Sequence, residues 1–175
     1  MPLTIRAERP DDFDAIARVV AAAFKSQAEA DLVAAIRASE HYVAEWALVA
    51  ELDGEIVGHV MLSYSALHGD DGTTYPVLQL SPLAVAPEHH SEGIGSDLVR
   101  TAAALADATG EPMVILQGDP RYYGRFGFEP AAAHGIVQPL PDWAPPEASQ
   151  ILRLAAYRPA LRGRVVYPPA FDGVE

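Results

Sequence analysis

Two glycines one residue apart, Gly93 and Gly95, stand in the stretch PEHHSEGIGSDLVR, where an apolar run gives way to a long helical pattern. Glycine at a helix mouth costs backbone entropy, and Ser, Thr, Asp or Asn is the usual occupant. A helix N-terminus presents unpaired N–H groups at the positive end of its dipole, and a loop without Cβ atoms lets a phosphate approach them closely. The pair therefore reads as an anion seat or as a packing device. Two phosphate-binding patterns fail on spacing: no Gly-Lys-Ser/Thr follows, and no third glycine completes a dinucleotide-binding fingerprint. His89 and His90, with His68, Asp70 and Asp71 elsewhere, match no ligand spacing, so no metal is expected. Ser63 and Ser65 sit in no nucleophile elbow. The chain has no cysteine, which removes thiolate ligands, disulfides and any cysteinyl acyl intermediate.

The elements that must position these residues are legible from periodicity. LTIRA alternates as a short strand, and RPDDFDAIARVVAAAF carries Phe13, Ile16, Ala17, Val20 and Phe24 on one helical face, with Asp11 and Asp12 favouring its start. A second helix is predicted over 28–38, with Leu32, Val33 and Ile36 inward and Glu29, Asp31 and Arg37 outward. EWALVAELDGEIVGHVMLSYSAL reads as two strands around Asp53-Gly54, a dipeptide suited to a tight hairpin turn. TYPVLQLSPLAVAP is a further strand, apolar enough to be central, with a bulge or local break expected near Ser81–Leu83 because Pro82 cannot donate to a ladder. The helix opened by the glycines repeats Ile94, Leu98, Ala102 and Leu105 and stops near Gly110. EPMVILQG then forms a buried strand, and strand, helix and strand together make a right-handed βαβ unit. DPRYYGRF is a short helix or turn, GFEPA a short strand. Trp46 reads as a strand residue and Trp143 as a loop anchor.

The length of 175 residues and 50% hydrophobic content fit a single domain over 1–175, with a Pro-rich loop and terminal strands from about residue 138. The formal net charge is -12, which opposes a phosphate backbone, so no nucleic-acid partner is expected. No stretch is long and apolar enough to span a bilayer, and the N-terminus lacks the features of a secretory signal, so no membrane association and a cytoplasmic location are expected.

HSEGIG, residues 90–95, following the strand LSPLAVAP, resembles the acyl-CoA loop of the acetyltransferases related to the histone acetyltransferase Gcn5, the GNAT superfamily. There the loop reads Gln or Arg, two residues, Gly, one residue, Gly or Ala. GDPRYYGRFGF is similar to a later motif of the family, with Tyr123 four residues ahead of Gly127 in the Gly-Phe pair. VAELDGEIVGHV is similar to the family's second and third strands. GRVVYPPAF resembles a bacterial branch of small-molecule N-acetyltransferases, so the likeness runs from Leu3 to about Phe171. It implies an α/β fold with a central mixed sheet flanked by helices on both faces, with acetyl-CoA as co-substrate.

By the same resemblance, backbone groups of Leu83, Ala84 and Val85 pair with the pantetheine arm. The loop His90, Ser91, Glu92, Gly93, Ile94, Gly95 and Ser96 holds the pyrophosphate. A deprotonated amine attacks the thioester directly in a ternary complex, a backbone N–H near Val85 holds the oxyanion, and Tyr123 protonates the departing thiolate. His59 and Glu45 are the candidates for general base, neither singled out, and a His on an apolar strand reads more readily as a hydrogen-bonded core residue. Two departures stand out: His90 replaces Gln or Arg, and Glu92 sets a carboxylate beside the pyrophosphate, which weakens binding unless its side chain turns away. The activity implied is N-acetylation of a small-molecule amine. A non-catalytic acyl-CoA sensor and a protein or peptide acetyltransferase are the alternatives, and a homodimer stays open.

Overall fold

The computed structural model describes residues 2–172. They fall into two compact units, one of residues 2–63, 80–104 and 170–172, the other of 64–79 and 105–169. The strands β1 (Leu3–Ala7), β2 (Tyr42–Leu52), β3 (Glu55–Gly69), β4 (Thr74–Val85), β5 (Met113–Gln117), β6 (Glu129–Pro130), β7 (Ile136–Val137), β8 (Ser149–Arg153) and β9 (Gly163–Val166) pair into a mixed sheet in the order β1-β2-β3-β4-β5-β8-β6, with β9 paired to β3 and β7 to β9.

The first unit begins with β1 (Leu3–Ala7), which runs antiparallel to β2 (Tyr42–Leu52). β2 turns into β3 (Glu55–Gly69) through Asp53 at φ 54° and Gly54 at φ 80°, the doubly left-handed turn that matches strand twist. Tyr42 pairs with Ser63 and Ala47 with Met61, so β2 bulges over the residues between Tyr42 and Ala47. That bulge has no signature in the sequence, because the partner strand sets the register.

Helix α1 (Phe13–Phe24) buries Ile16, Val19 and Val20. Phe24, expected inward, is 41% exposed, being the last helical residue before Lys25 takes the left-handed conformation that ends the helix. Helix α2 (Gln27–Arg37) is capped by Ser26, whose hydroxyl accepts from the Ala28 N–H at 3.1 Å. Leu32, Val33 and Ile36 are buried as expected. Arg37 is not outward: it reaches back to Glu8 at 2.7 Å.

Strand β4 (Thr74–Val85) is continuous through Pro82, with a cis Ser81–Pro82 bond, so of the bulge or local break expected there the break does not occur. It leads to α3 (Ile94–Ala108), which lies so close to β3 that a Cβ on Gly58 would sit 3.0 Å from Leu98 Cδ1 and 3.2 Å from Ile94 Cγ2. Within α3, Leu105 is 38% exposed and Ala106 is buried in its stead. The helix stops at Gly110, at φ 85°, whose N–H donates to the Asp107 carbonyl.

In the second unit Leu78 and Gln79 of β4 pair in parallel with Val114 and Ile115 of β5 (Met113–Gln117), which closes the expected βαβ connection through α3. Helix α4 (Pro120–Tyr123) follows, then β6 (Glu129–Pro130) and β7 (Ile136–Val137). β8 (Ser149–Arg153) runs antiparallel to β5 and β6, and β9 (Gly163–Val166) antiparallel to Ala66–Gly69 of β3. The core gathers Leu67, Val77, Met113, Ile115, Ile136, Ile151 and Val165, with Tyr75, Tyr157 and Tyr167 packed against it. β7 was not anticipated; two residues carry no periodicity. Trp143, expected as a loop anchor, is 75% exposed, and a polar network described below holds the start of its loop.

Candidate active site

The glycine loop belongs to the first unit. Gly93 takes φ 84°, a conformation that L side chains rarely adopt, and a Cβ there would meet nothing within 4 Å. Its residue type therefore answers to backbone conformation, with open space before it. The Gly93 carbonyl accepts the Asp97 N–H at 3.1 Å, which starts the helical ladder and leaves the donors of Ile94 and Gly95 facing the mouth of α3. Ser91, at φ 67°, also turns left-handed, so the segment from Ser91 to Gly93 curls around that mouth. Ser91, Glu92 and Gly93 are exposed while the Ile94 side chain is buried, which pins the helix start and leaves the loop accessible.

The two departures have definite geometry. Glu92 turns onto His89, with Oε2 3.3 Å from Nδ1, which draws its charge sideways. His90 places Nε2 2.9 Å from the Val85 carbonyl, so this ring locks the loop to the end of β4. The Ala86 N–H donates to the Val57 carbonyl at 2.8 Å. Antiparallel alternation then turns the peptide groups of Ala84 toward β3 and those of Leu83 and Val85 toward the opposite edge. Leu83 and Val85 are half-buried, Ala84 buried.

Tyr123 belongs to the second unit and ends α4, whose first turn is capped by Asp119 accepting from the Arg121 N–H at 2.9 Å. Its ring makes edge contacts with Tyr122 at 4.9 Å and Phe128 at 5.8 Å between centroids. Burial, with a smaller contribution from Tyr122, pushes the Tyr123 phenol well above the ordinary tyrosine range, so it holds its proton at neutral pH. Phe128 is buried, as expected of a core residue. In the same unit a network missed in the sequence ties the Pro-rich loop down: the Gln117 amide donates to the Pro139 carbonyl at 2.6 Å and to the Tyr167 hydroxyl. The Tyr167 hydroxyl in turn donates to Gln138 Oε1 at 2.7 Å. Its members lie far apart along the chain, so only the Pro-rich composition hinted at the loop.

Of the candidate bases, Glu45 is exposed on the β2 bulge, and His59 is fully buried with neither ring nitrogen in a hydrogen bond of ordinary geometry. Burial drives the His59 value down to about 4, outweighing Glu8, whose Oε1 lies 3.9 Å from Nδ1. Glu8 is itself enclosed. Burial raises its carboxyl, but hydrogen bonds from Arg37 at 2.7 Å and from the Tyr42 hydroxyl at 2.7 Å overcome this and leave it below the ordinary range. A fully enclosed imidazole cannot touch an acceptor, so His59 is a core residue. Among the described residues no group of three or more His, Asp or Glu could hold a metal ion, and no helix is long and apolar enough to cross a membrane.

The mixed sheet, with a glycine-framed helix mouth after β4, is the frame of an acetyltransferase-type fold. The acetyltransferase (GNAT) domain family matches residues 4–131, and the chain belongs to that family. Among curated proteins it is 35% identical over 132 residues to the uncharacterized N-acetyltransferase YjhQ of Escherichia coli K12, covering 74% of this chain and 72% of that protein. It is 31% identical to YhbS, the E. coli GNAT family N-acetyltransferase whose crystal structure is in complex with CoA, with a TM-score of 0.87 over 99% of this chain and 93% of the other. A GNAT family acetyltransferase from Brucella melitensis, in complex with acetyl-CoA, is 32% identical, with a TM-score of 0.79 over 98% and 99%.

Proposed function

We propose that the protein transfers the acetyl group of acetyl-CoA to a primary amine of a small molecule, by direct attack in a ternary complex. The observation that carries this reading is the helix mouth with its left-handed approach from Ser91 to Gly93, whose donors at Ile94 and Gly95 suit a pyrophosphate. Support for the cofactor comes from the CoA and acetyl-CoA complexes of the two similar structures. Ser91 to Ser96 hold the pyrophosphate, with His90 bracing the loop. The outward peptide groups of Leu83 pair with the pantetheine as an added strand would, Ala84 borders it, and Val85, its carbonyl held by His90, turns its N–H to the thioester.

The neutral amine attacks the thioester carbonyl and the C–N bond forms. The Val85 N–H stabilises the oxyanion. As the tetrahedral intermediate collapses the C–S bond breaks, the thiolate takes the Tyr123 proton, and the ammonium proton passes to solvent, from which Tyr123 is recharged. The products are the acetamide and free CoA. The chain has no cysteine to carry the acetyl group, which favours this one-step transfer.

Calorimetry with CoA, followed by a thiol-release assay with acetyl-CoA across an amine panel, tests the reading. Turnover on a small amine is expected, and Tyr123→Phe should lower kcat by about 10²-fold or more while the acetyl-CoA dissociation constant stays unchanged. Binding without turnover on any amine would instead mark a sensor, and strong hits only among peptides a protein acetyltransferase.

A further inference from the structure

Gly118 closes β5 and opens the turn that carries Tyr123. Its φ lies outside the left-handed region, so no backbone conformation asks for glycine there. What the residue lacks is a Cβ, and the Tyr123 ring occupies that place: a Cβ on Gly118 would lie 2.4 Å from Cε2 and 2.8 Å from Cδ2. These are well inside van der Waals contact. Neither partner can retreat freely. The Gly118 N–H donates to the Ala148 carbonyl at 2.9 Å and its own carbonyl accepts from Gln150 Nε2 at 3.0 Å, with Gln150 buried. The ring is backed by Phe128 and Tyr122, and the Tyr123 N–H is tied to the Asp119 carbonyl at 3.0 Å.

We propose that Gly118 is a positioning residue, whose bare α-carbon seats the Tyr123 ring so that the phenol stands where it delivers its proton to the departing thiolate. The inference rests on the acid role given to Tyr123 above. Displacement of a reacting group by about 1 Å is enough to cost about 10²-fold in rate, and an added methyl group requires a shift of that order.

The test is a double-mutant cycle of Gly118→Ala and Tyr123→Phe, read as kcat, amine KM and acetyl-CoA affinity. Gly118→Ala alone is expected to lower kcat by about 10- to 100-fold, with acetyl-CoA affinity within about twofold of the parent. In the Tyr123→Phe background it should change kcat by less than about twofold, because the group it acts through is gone. Equal losses in both backgrounds, or no loss in the parent, would overturn the proposal. Full turnover by Tyr123→Phe alone would overturn the acid reading itself, a separate outcome. Should Gly118→Ala not fold, the Gly118→Ala/Tyr123→Ala chain decides: recovery of a cooperative melt upholds the ring contact, and continued failure to fold refutes it.

Discussion

Glu92 brings a carboxylate to the lip of the loop proposed above to hold the pyrophosphate, and His89, 3.3 Å away, is the side chain that holds it aside. The remaining repulsion acts through solvent and is screened by salt. Glu92→Gln is therefore expected to tighten CoA binding by about two- to fivefold at low ionic strength, with the gain shrinking at high salt; a gain independent of salt would point to altered loop geometry. The three-residue spacing of this pair is visible in the sequence. So is Tyr123, singled out from Tyr122 by its distance to the Gly127-Phe128 pair. That His59 is a core residue was readable from its apolar strand, but its neighbour Glu8, 3.9 Å away, was not, because it comes from a distant segment.

At the scale of elements, α3 meets β3 over Gly58, where an added Cβ would also stand 3.3 Å from the Ala84 carbonyl. Gly58→Val is expected to cost about 1–3 kcal/mol of stability. It should also weaken CoA binding, since Ile94, the first residue of α3, takes the strain. Paired denaturant melts and calorimetry would check this, and a stability loss with unchanged CoA affinity would show that the helix start moves independently of the contact. α3 and the Asp53-Gly54 hairpin were readable because helical period and turn chemistry are local. The β2 bulge and β7 were not, being imposed by partner strands. Phe24 and Leu105 fit the helical period, yet each is partly exposed at the edge of an apolar stripe.

For the whole molecule, the enclosed His59 makes stability depend on pH. Its folded value, about 4, lies below the ordinary 6.5, so the unfolded chain binds more protons between those values and stability falls as pH drops through that window. The difference amounts to about 3 kcal/mol. Glu8, held below its ordinary range, adds a further loss below about pH 4.5. Denaturant unfolding across pH 4 to 7 should show this slope, and His59→Leu should flatten it above about pH 4.5; an unchanged slope would assign it to other groups. The periodicity and order of the elements foresaw the mixed α/β class, and the family motifs pointed to the loop and the tyrosine. The two compact units were not foreseen, because long-range contacts define them.

β3 serves the first unit through its pairing with β2 and the second through its pairing with β9. Its residues up to Ser63 belong to the first unit and those from Tyr64 to the second. A single inserted residue near its middle would reverse inside and outside for everything beyond it, and an evolving sequence can lengthen its loops far more readily than it can edit this one strand.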